Sequence, residues 1–367
     1  MDTQGHAIDT RQAHPFDAVL VIAFGGPGGR DEIRPFLETI VRGRPVPPER
    51  IEEVARHYEL FDGVSPLTDI VQRQAAGLRQ RLAARGVDVP VFVGMRNWHP
   101  FLADVVADLA RAGLRRVIGF IDAAHHCWPS CGQYREDVRA ARKAAVAQGL
   151  PDVAVTYVDS WYEHEGFITA NADHVRRALA VLPAELRDQA RLIFTAHSIP
   201  TAMAATSRYR EQLEASARHV SARLGRQDWA LVYQSRSGRP RDPWLEPDIC
   251  DYLREARTDG LRAAVICPIG FVADHVEVLM GEWNQASWTA DQEVYAAEES
   301  LRSHRSLEQF DALCADAVTL GSALGKVRDE DMESRTTWVP VPTVAPEPTP
   351  TESAPQQSRR KPSTLPG

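Results

Sequence analysis

Apolar runs rich in β-branched residues alternate along this chain with segments of helical periodicity. The first run covers residues 17–24 (DAVLVIAF), and later runs end at Ile121, Ala196 and Ile269. Unbroken apolar runs of this length are typical of strands buried on both faces. Strands that alternate with helices predict a parallel sheet covered by helices on both sides. We therefore expect an α/β fold.

The alternation occurs twice, which predicts two similar doubly wound, Rossmann-like halves. We place the N-terminal half at residues 16–150 and the C-terminal half at residues 151–327. Residues 1–15 are expected to be disordered. Residues 328–367 are rich in Pro, Ser and Thr with few large apolar side chains, so we expect a disordered tail.

Residues 262–279 (RAAVICPIGFVADHVEVL) form a candidate active edge. An apolar run is followed there by Asp274, His275 and Glu277, and open parallel sheets bind ligands beyond the carboxyl ends of their strands. His197 directly follows another apolar run, RLIFTA. If both runs are strands of one sheet, an imidazole and a carboxylate share one edge, where they can bind a divalent metal or exchange protons. The alternative is that each histidine caps an element or fills the core.

Composition and charge argue against several classes of protein. The chain is 44% hydrophobic and 25% charged, and its formal net charge of -8 argues against a general nucleic-acid binder. Five cysteines in 367 residues do not suggest a disulfide framework. The N-terminus has no apolar signal core, and no apolar run approaches the roughly 20 residues that span a bilayer. We expect a cytoplasmic protein without a membrane span.

Two further motifs have weaker interpretations. The glycine cluster at residues 25–29 (GGPGG) lacks both the Lys-Ser/Thr of a P-loop and the spacing of a dinucleotide fingerprint, so we expect a tight turn that brings the backbone close to another group. His125, His126, Cys127 and Cys131 are four candidate zinc ligands. Because structural zinc sites usually draw paired ligands from two separated segments, we do not expect zinc here.

Many short segments in order resemble the ferrochelatase family, and within it the coproporphyrin ferrochelatases of actinobacterial type. The resemblance covers residues 16–281. It is carried by AFGGP at Ala23, RPFLE at Arg34, RGRPVPPER at Arg42, GVSP at Gly63, RNWHP at Arg96, CGQYRED at Cys131, WY at Trp161, FTAHSIPT at Phe194, YQSRSG at Tyr233, PWLEPDI at Pro243 and CPIGFVADHVEVL at Cys267.

The resemblance implies a chelatase fold with a porphyrin cleft between the halves, and insertion of Fe2+ into coproporphyrin III during heme biosynthesis. It implies that His197 and Glu277 contact the metal from opposite faces of the porphyrin, with His197 accepting protons. It also implies that Ser65 and Tyr134 bind the porphyrin carboxylates, with help from Arg42.

Two departures from the family pattern affect these expectations. Further acids usually follow the metal glutamate one and two helical turns later, and here those positions hold Gly281 and Gln285. Glu282 would lie in line with Glu277 only if the helix contained a π turn. Many actinobacterial-type members bind an iron-sulfur cluster through one internal cysteine, matched by Cys131, and three C-terminal ones. The C-terminal segment here offers only Cys314, so we predict no cluster.

We therefore expect a coproporphyrin ferrochelatase without a permanently bound cofactor, for which Fe2+ is a substrate. We expect a monomer that delivers its product to coproheme decarboxylase. Two alternatives remain open. One is a porphyrin-binding protein that lost turnover together with its acids. The other is a chelatase for a different divalent metal, such as cobalt or nickel, which a His/Glu pair also suits.

Overall fold

Two parallel β-sheets organise the protein. The computed structural model describes residues 15–237, 241–276, 278, 295–297 and 338–339. The strands are β1 (Ala18–Ala23), β2 (Val91–Met95), β3 (Arg116–Ile121), β4 (Ala154–Val158), β5 (Arg191–His197), β6 (Trp229–Gln234), β7 (Ala263–Cys267), β8 (Tyr295–Ala297) and β9 (Trp338–Val339). The first sheet has the order β2-β1-β3-β4-β9 and the second the order β6-β5-β7-β8.

Helices connect the strands and cover the sheets. They are α1 (Ile33–Val41), α2 (Pro48–Glu59), α3 (Leu67–Ala84), α4 (Leu102–Arg111), α5 (Gln133–Ala147), α6 (Glu165–Val181), α7 (Ala184–Arg187), α8 (Thr201–Ala205), α9 (Tyr209–Arg223) and α10 (Ile249–Thr258). A short 3-10 turn (Arg30–Glu32) precedes α1, and a π turn (Trp128–Gly132) precedes α5.

Alternate side chains of the central strands pack on opposite faces of each sheet. In β1, Leu20 packs with α4 and α5, whereas Val21 packs with α3. In β5, Ile193 packs with α10, whereas Phe194 packs with α6 and α9. All six residues of β1 are buried, as expected for a strand with helices on both faces. These features confirm the predicted α/β fold with two doubly wound sheets.

The two sheets share one hydrophobic core. Val21 of β1 and Phe194 of β5 belong to the same cluster of buried side chains, and Trp161 and Phe167 lie in it as well. The rings of Phe120 in β3 and Trp161 are stacked with centroids 5.5 Å apart, and Trp161 meets Phe167 of α6 edge to face at 5.3 Å. The two halves are therefore in direct apolar contact through these side chains.

The boundary placed near Leu150 is wrong for one strand. β4, which that boundary assigns to the C-terminal half, pairs in parallel with β3 in the first sheet. The chain passes from the first sheet to the second after Val158, since the next helix, α6, packs against strand β7 of the second sheet. The apolar run at residues 153–158 has the same character in either sheet, so periodicity did not distinguish its partners.

The predicted terminal segments lie largely outside the described residues. Residues 1–14 belong to this group, and of the predicted tail only strand β9 is described, beside β4. Among the helices that the structure describes, none combines the length and the apolar character required to cross a bilayer.

Candidate functional site

His197 ends β5, the strand that lies between β6 and β7 in the second sheet. The residue is half-buried, and its Nδ1 lies 2.6 Å from the carbonyl oxygen of Ser198. A carbonyl oxygen only accepts hydrogen bonds, so Nδ1 carries the proton of the neutral ring. Nε2 is then the unprotonated ring nitrogen, and an unprotonated nitrogen is what a proton acceptor or metal ligand requires.

A buried tyrosine supports His197 from behind. The Tyr209 hydroxyl donates to the carbonyl oxygen of His197 at 3.2 Å. Tyr209 is 4% exposed, and its burial raises the pKa of the phenol well above the usual value. The hydroxyl therefore stays protonated and remains a donor at any physiological pH.

The chain leaving β7 passes directly beside this strand end. The Gly270 N–H donates to the carbonyl oxygen of Thr195 at 3.0 Å. A Cβ placed on Gly270 would lie 2.5 Å from the Cβ of Ala196, closer than real carbon atoms approach. Because β5 and β7 are parallel neighbours, the prediction that both strand ends open on one edge is confirmed.

Glu277 lies outside the described residues, so its predicted position opposite His197 stays a prediction. The same holds for Gly281, Glu282 and Gln285. Of the residues just before Glu277, Asp274 is 1% exposed and Val276 is 2% exposed. Val276 packs in a small cluster with side chains of α1 and α2, which anchors this segment against the N-terminal half.

Ser65 lies beside the glycine turn that follows β1. It is 5% exposed, and its N–H donates to the carbonyl oxygen of Pro27 at 2.8 Å. A Cβ on Gly26 would lie 2.5 Å from the Cβ of Ser65. The Thr68 hydroxyl accepts from the Gly26 N–H at 3.2 Å and donates to the Gly26 carbonyl at 3.1 Å. The glycine cluster therefore acts as a turn that approaches Ser65 closely.

The Tyr134 side chain is buried, whereas a residue in an open binding site would be exposed. It is 6% exposed at the start of α5, in the cluster between the first sheet and α4 and α5. Burial is the main reason that its pKa is raised, and the nearby Asp122 carboxyl raises it further. Asp122, at the carboxyl end of β3, is itself 8% exposed, and burial raises its pKa to about 7. Tyr134 is thus a neutral donor whose surroundings are mostly protein.

Arg42 follows the last residue of α1 and is exposed, on the loop that leads to α2. Its backbone N–H lies 3.4 Å from the carbonyl oxygen of Thr39. The α1–α2 pair that carries this loop packs against Val276, so the loop lies on the same side of the molecule as Val276. The Arg42 guanidinium itself makes no ion pair with any described residue.

The structure thus brings His197 close to the exit of β7 and holds Ser65 against the glycine turn. Tyr134 lies in a separate packing cluster. Sequence reasoning missed two polar groups at the carboxyl edge of the first sheet. One is Asp122, and the other is Arg96, whose Nε lies 2.8 Å from the Asp137 carboxylate. Both directly follow strands, which is the signal that identifies them.

The His/Cys group after β3 is used in packing. His125 is 3% exposed, its Nε2 lies 3.0 Å from the Ser216 hydroxyl, and burial lowers its pKa to about 3. Burial also raises the pKa of the Cys127 thiol to about 11, which disfavours a thiolate ligand. Within the described residues no group of three or more His, Cys, Asp or Glu side chains is arranged to bind a metal. Cys131 is buried and Cys314 lies outside the described residues, so the absence of a cluster stays a prediction.

Comparison with solved structures defines the fold class first. SirB from Bacillus subtilis, solved with Fe3+, superposes with a TM-score of 0.50 over 83% of this chain and 95% of that one. The two sequences are 11% identical, so the similarity concerns the fold alone.

The sequence comparisons then identify the family. The sequence model of the Ferrochelatase family matches residues 16–319, so the chain belongs to the ferrochelatase family. It is 42% identical to the coproporphyrin III ferrochelatase of Streptomyces coelicolor, over 77% of this chain and 80% of the relative. The coproporphyrin III ferrochelatase of Mycobacteroides abscessus is 42% identical over 83% and 88% of the two chains, and that of Nocardia farcinica 44% identical over 74% and 78%. The predicted family resemblance is confirmed.

Proposed function

We propose that this protein is a metal chelatase that inserts Fe2+ into coproporphyrin III to give coproheme. The observation that carries the proposal is its identity of more than 40% to several coproporphyrin III ferrochelatases, over about three quarters of the chain or more. His197 at the carboxyl edge of the second sheet supplies a group with the required chemistry.

His197 acts as proton acceptor and metal contact in this proposal. A free-base porphyrin loses two pyrrole protons when a dication enters, so a base must lie near the centre of the ring. The hydrogen bond from Nδ1 to the Ser198 carbonyl leaves Nε2 to accept such a proton. Glu277 contacts the metal from the opposite face and offsets its positive charge. A cleft that holds the flat ring bent would move it toward the geometry of metal entry.

Ser65, Tyr134 and Arg42 bind the carboxylates at the rim of the porphyrin in this proposal. The bond from the Ser65 N–H to the Pro27 carbonyl fixes the backbone that carries the hydroxyl. Burial keeps the Tyr134 phenol protonated and able to donate to a carboxylate. Arg42 is an exposed guanidinium on a loop that contains Pro45 and Pro47, and such a group binds carboxylates through two parallel hydrogen bonds.

We further propose that the protein acts as a cytoplasmic monomer without a permanently bound cofactor and passes coproheme to coproheme decarboxylase. Its net charge of -8 fits a protein that does not bind nucleic acid. The four described cysteines are buried and form no disulfide bond with one another, which fits a reducing compartment. No iron-sulfur cluster belongs to this proposal, because the sequence contains a single cysteine after Cys267.

A second candidate function is porphyrin binding without turnover. It is favoured by Gly281 and Gln285, which stand where the family usually has acids after the metal glutamate. A third is chelation of another divalent metal by the same His/Glu pair.

One experiment separates these functions. Purified protein is mixed with coproporphyrin III and Fe2+ in the absence of oxygen, and the visible spectrum is followed; parallel samples contain Co2+ or Ni2+. We expect the free-base bands to collapse to a metalloporphyrin spectrum with Fe2+, and much more slowly for His197→Ala. Bound porphyrin that keeps its free-base bands with every metal would contradict the chelatase proposal. Collapse at an unchanged rate in His197→Ala would contradict the role of that residue.

A further inference from the structure

Glu32 joins two parts of the chain that the sequence does not bring together. It ends the short turn that leads into α1, and it is half-buried. Its Oε2 accepts one hydrogen bond from the Gly28 N–H at 2.7 Å and another from the indole Nε1–H of Trp98 at 2.8 Å. Trp98 is 66 residues away along the chain. Hydrogen bonds to a carboxylate are stronger than those between neutral groups, so the Glu32 carboxylate holds both the Gly28 backbone and the Trp98 indole in place.

The first of these bonds fixes the turn beside Ser65. Gly28 forms an antiparallel bridge with Val64, and the adjacent Pro27 carbonyl accepts the N–H of Ser65 at 2.8 Å. A shift of Gly28 therefore moves the backbone against which Ser65 is held. Through this contact, Glu32 sets the position of a hydroxyl that binds substrate carboxylate in the proposed function.

The second bond fixes a side chain that packs against the same cluster as Val276. The Trp98 ring meets the ring of Phe36 edge to face, with centroids 6.0 Å apart. Both side chains belong to the cluster formed by α1 and α2, and Val276 is buried in that same cluster. Val276 immediately precedes Glu277 in the sequence. Glu32 therefore links the turn beside Ser65 to the cluster that contains Val276.

We propose that Glu32 is a positioning residue: its carboxylate holds the glycine turn against Ser65 and, through Trp98, holds the cluster on which Val276 packs. The inference rests on the proposed function, because it assigns Glu32 an effect on porphyrin and metal together. Glu32 does not touch substrate in this scheme. It acts by keeping two distant contacts at a fixed separation.

Three substitutions separate the two contacts. Glu32→Ala removes both hydrogen bonds, and we expect coproporphyrin III to bind on the order of five- to tenfold more weakly and kcat to fall by a similar factor. Trp98→Phe keeps an aromatic ring but removes the indole N–H, so kcat should fall while porphyrin affinity changes by less than about twofold. Glu32→Gln keeps an oxygen acceptor without its charge, so both quantities should lie between those of the wild type and those of Glu32→Ala.

The measurements are quenching of coproporphyrin III fluorescence for affinity, anaerobic iron insertion for kcat, and thermal melting for stability. Glu38→Ala, an exposed glutamate on α1, is the matched control and should behave as the wild type does. A residue that only stabilised the fold would lower Tm in Glu32→Ala and leave affinity and kcat unchanged at a temperature where the variant is folded. That result would overturn the inference.

Binding and iron insertion by the wild type distinguish failure of the inference from failure of the proposed function. If the wild type neither binds nor metallates coproporphyrin III, the proposed function fails and the role of Glu32 fails with it. If the wild type does both and Glu32→Ala matches Glu38→Ala, the proposed function stands and only the inference fails.

If Glu32→Ala does not fold, the other two variants still test the inference. A kcat of Trp98→Phe equal to that of the wild type would overturn the Trp98 contact. Affinity in Glu32→Gln equal to that of the wild type would then overturn the Gly28 contact, whereas weaker binding without loss of Tm would support it.

Discussion

The carboxyl edges of the two sheets are built differently. In the second sheet, β5 has a parallel neighbour on each side, and His197 is in register with Gln234 of β6. The Ser198 N–H donates to the Gln234 carbonyl at 2.7 Å, so the strand pairing continues past the histidine. At the edge of the first sheet, Ser65 lies on a turn outside the sheet, and its position depends on contacts between separate loops.

This difference concerns how strongly each group is constrained. His197 cannot move without breaking ladder hydrogen bonds of the central strand, whereas Ser65 can adjust when one loop contact is lost. A rigid base suits proton transfer and metal contact, because a small misplacement of a reacting group costs much rate. Groups on loops suit the binding of flexible propionates. We therefore expect changes at the second edge to lower kcat and changes at the first edge to weaken porphyrin binding.

The largest effect is expected for His197→Ala. Loss of the proton acceptor should lower the rate of iron insertion by a factor of about 10² to 10⁴, the usual contribution of a general base. Porphyrin affinity, measured by fluorescence quenching, should stay within about twofold, because other residues bind the carboxylates. His219→Ala, which removes a half-buried histidine whose Nε2 lies 3.3 Å from the Glu163 carboxylate, is the control and should retain the wild-type rate. A comparable loss in both variants would contradict the comparison.

Gly270→Ala should have the next largest effect. The new Cβ would lie 2.5 Å from the Ala196 Cβ and 2.8 Å from its Cα, so the backbone next to His197 must shift. Overpacking of this kind costs about 1–3 kcal/mol of stability, and the shift should lower kcat about tenfold or more. Thermal melting and iron insertion measure the two effects. Gly29→Ala is the control, because Gly29 has extended backbone and no atom within 4 Å of its would-be Cβ.

Gly26→Ala makes the matching perturbation at the first edge. Its Cβ would lie 2.5 Å from the Ser65 Cβ and 2.6 Å from the Ser65 Oγ, so Ser65 and its hydroxyl must move from their present position. We expect KM for coproporphyrin III to rise roughly tenfold with kcat nearly unchanged, as for loss of one hydrogen bond to a charged group. Ser65→Ala should give a similar rise, and the double variant should add little to either. Additive effects on KM would show that the two residues act independently.

The sequence predicted the second edge better than the first. His197 directly follows an apolar strand pattern, so the parallel-sheet rule places it at the edge without knowledge of distant contacts. Glu32 and Trp98 are 66 residues apart, and no periodicity relates them. The burial of Tyr134 depends on how α5 packs on the first sheet. The apolar run of β4 predicts a strand but not its neighbours, so the pairing of β4 with β3 does not follow from the sequence.

Tyr209→Phe is expected to have the smallest effect and tests how far the strand alone fixes His197. The change removes the hydroxyl that donates to the His197 carbonyl at 3.2 Å and keeps the buried ring. Loss of one such bond should cost about 1 kcal/mol of unfolding free energy. Because β6 and β7 still hold β5, kcat should fall by no more than about threefold. Tyr252→Phe is the control, since that hydroxyl accepts a hydrogen bond from Arg191 at 3.1 Å, at the opposite end of β5. A loss of kcat as large as that of Gly270→Ala would mean that the side chain of Tyr209, rather than the pairing of β5, sets the position of the histidine.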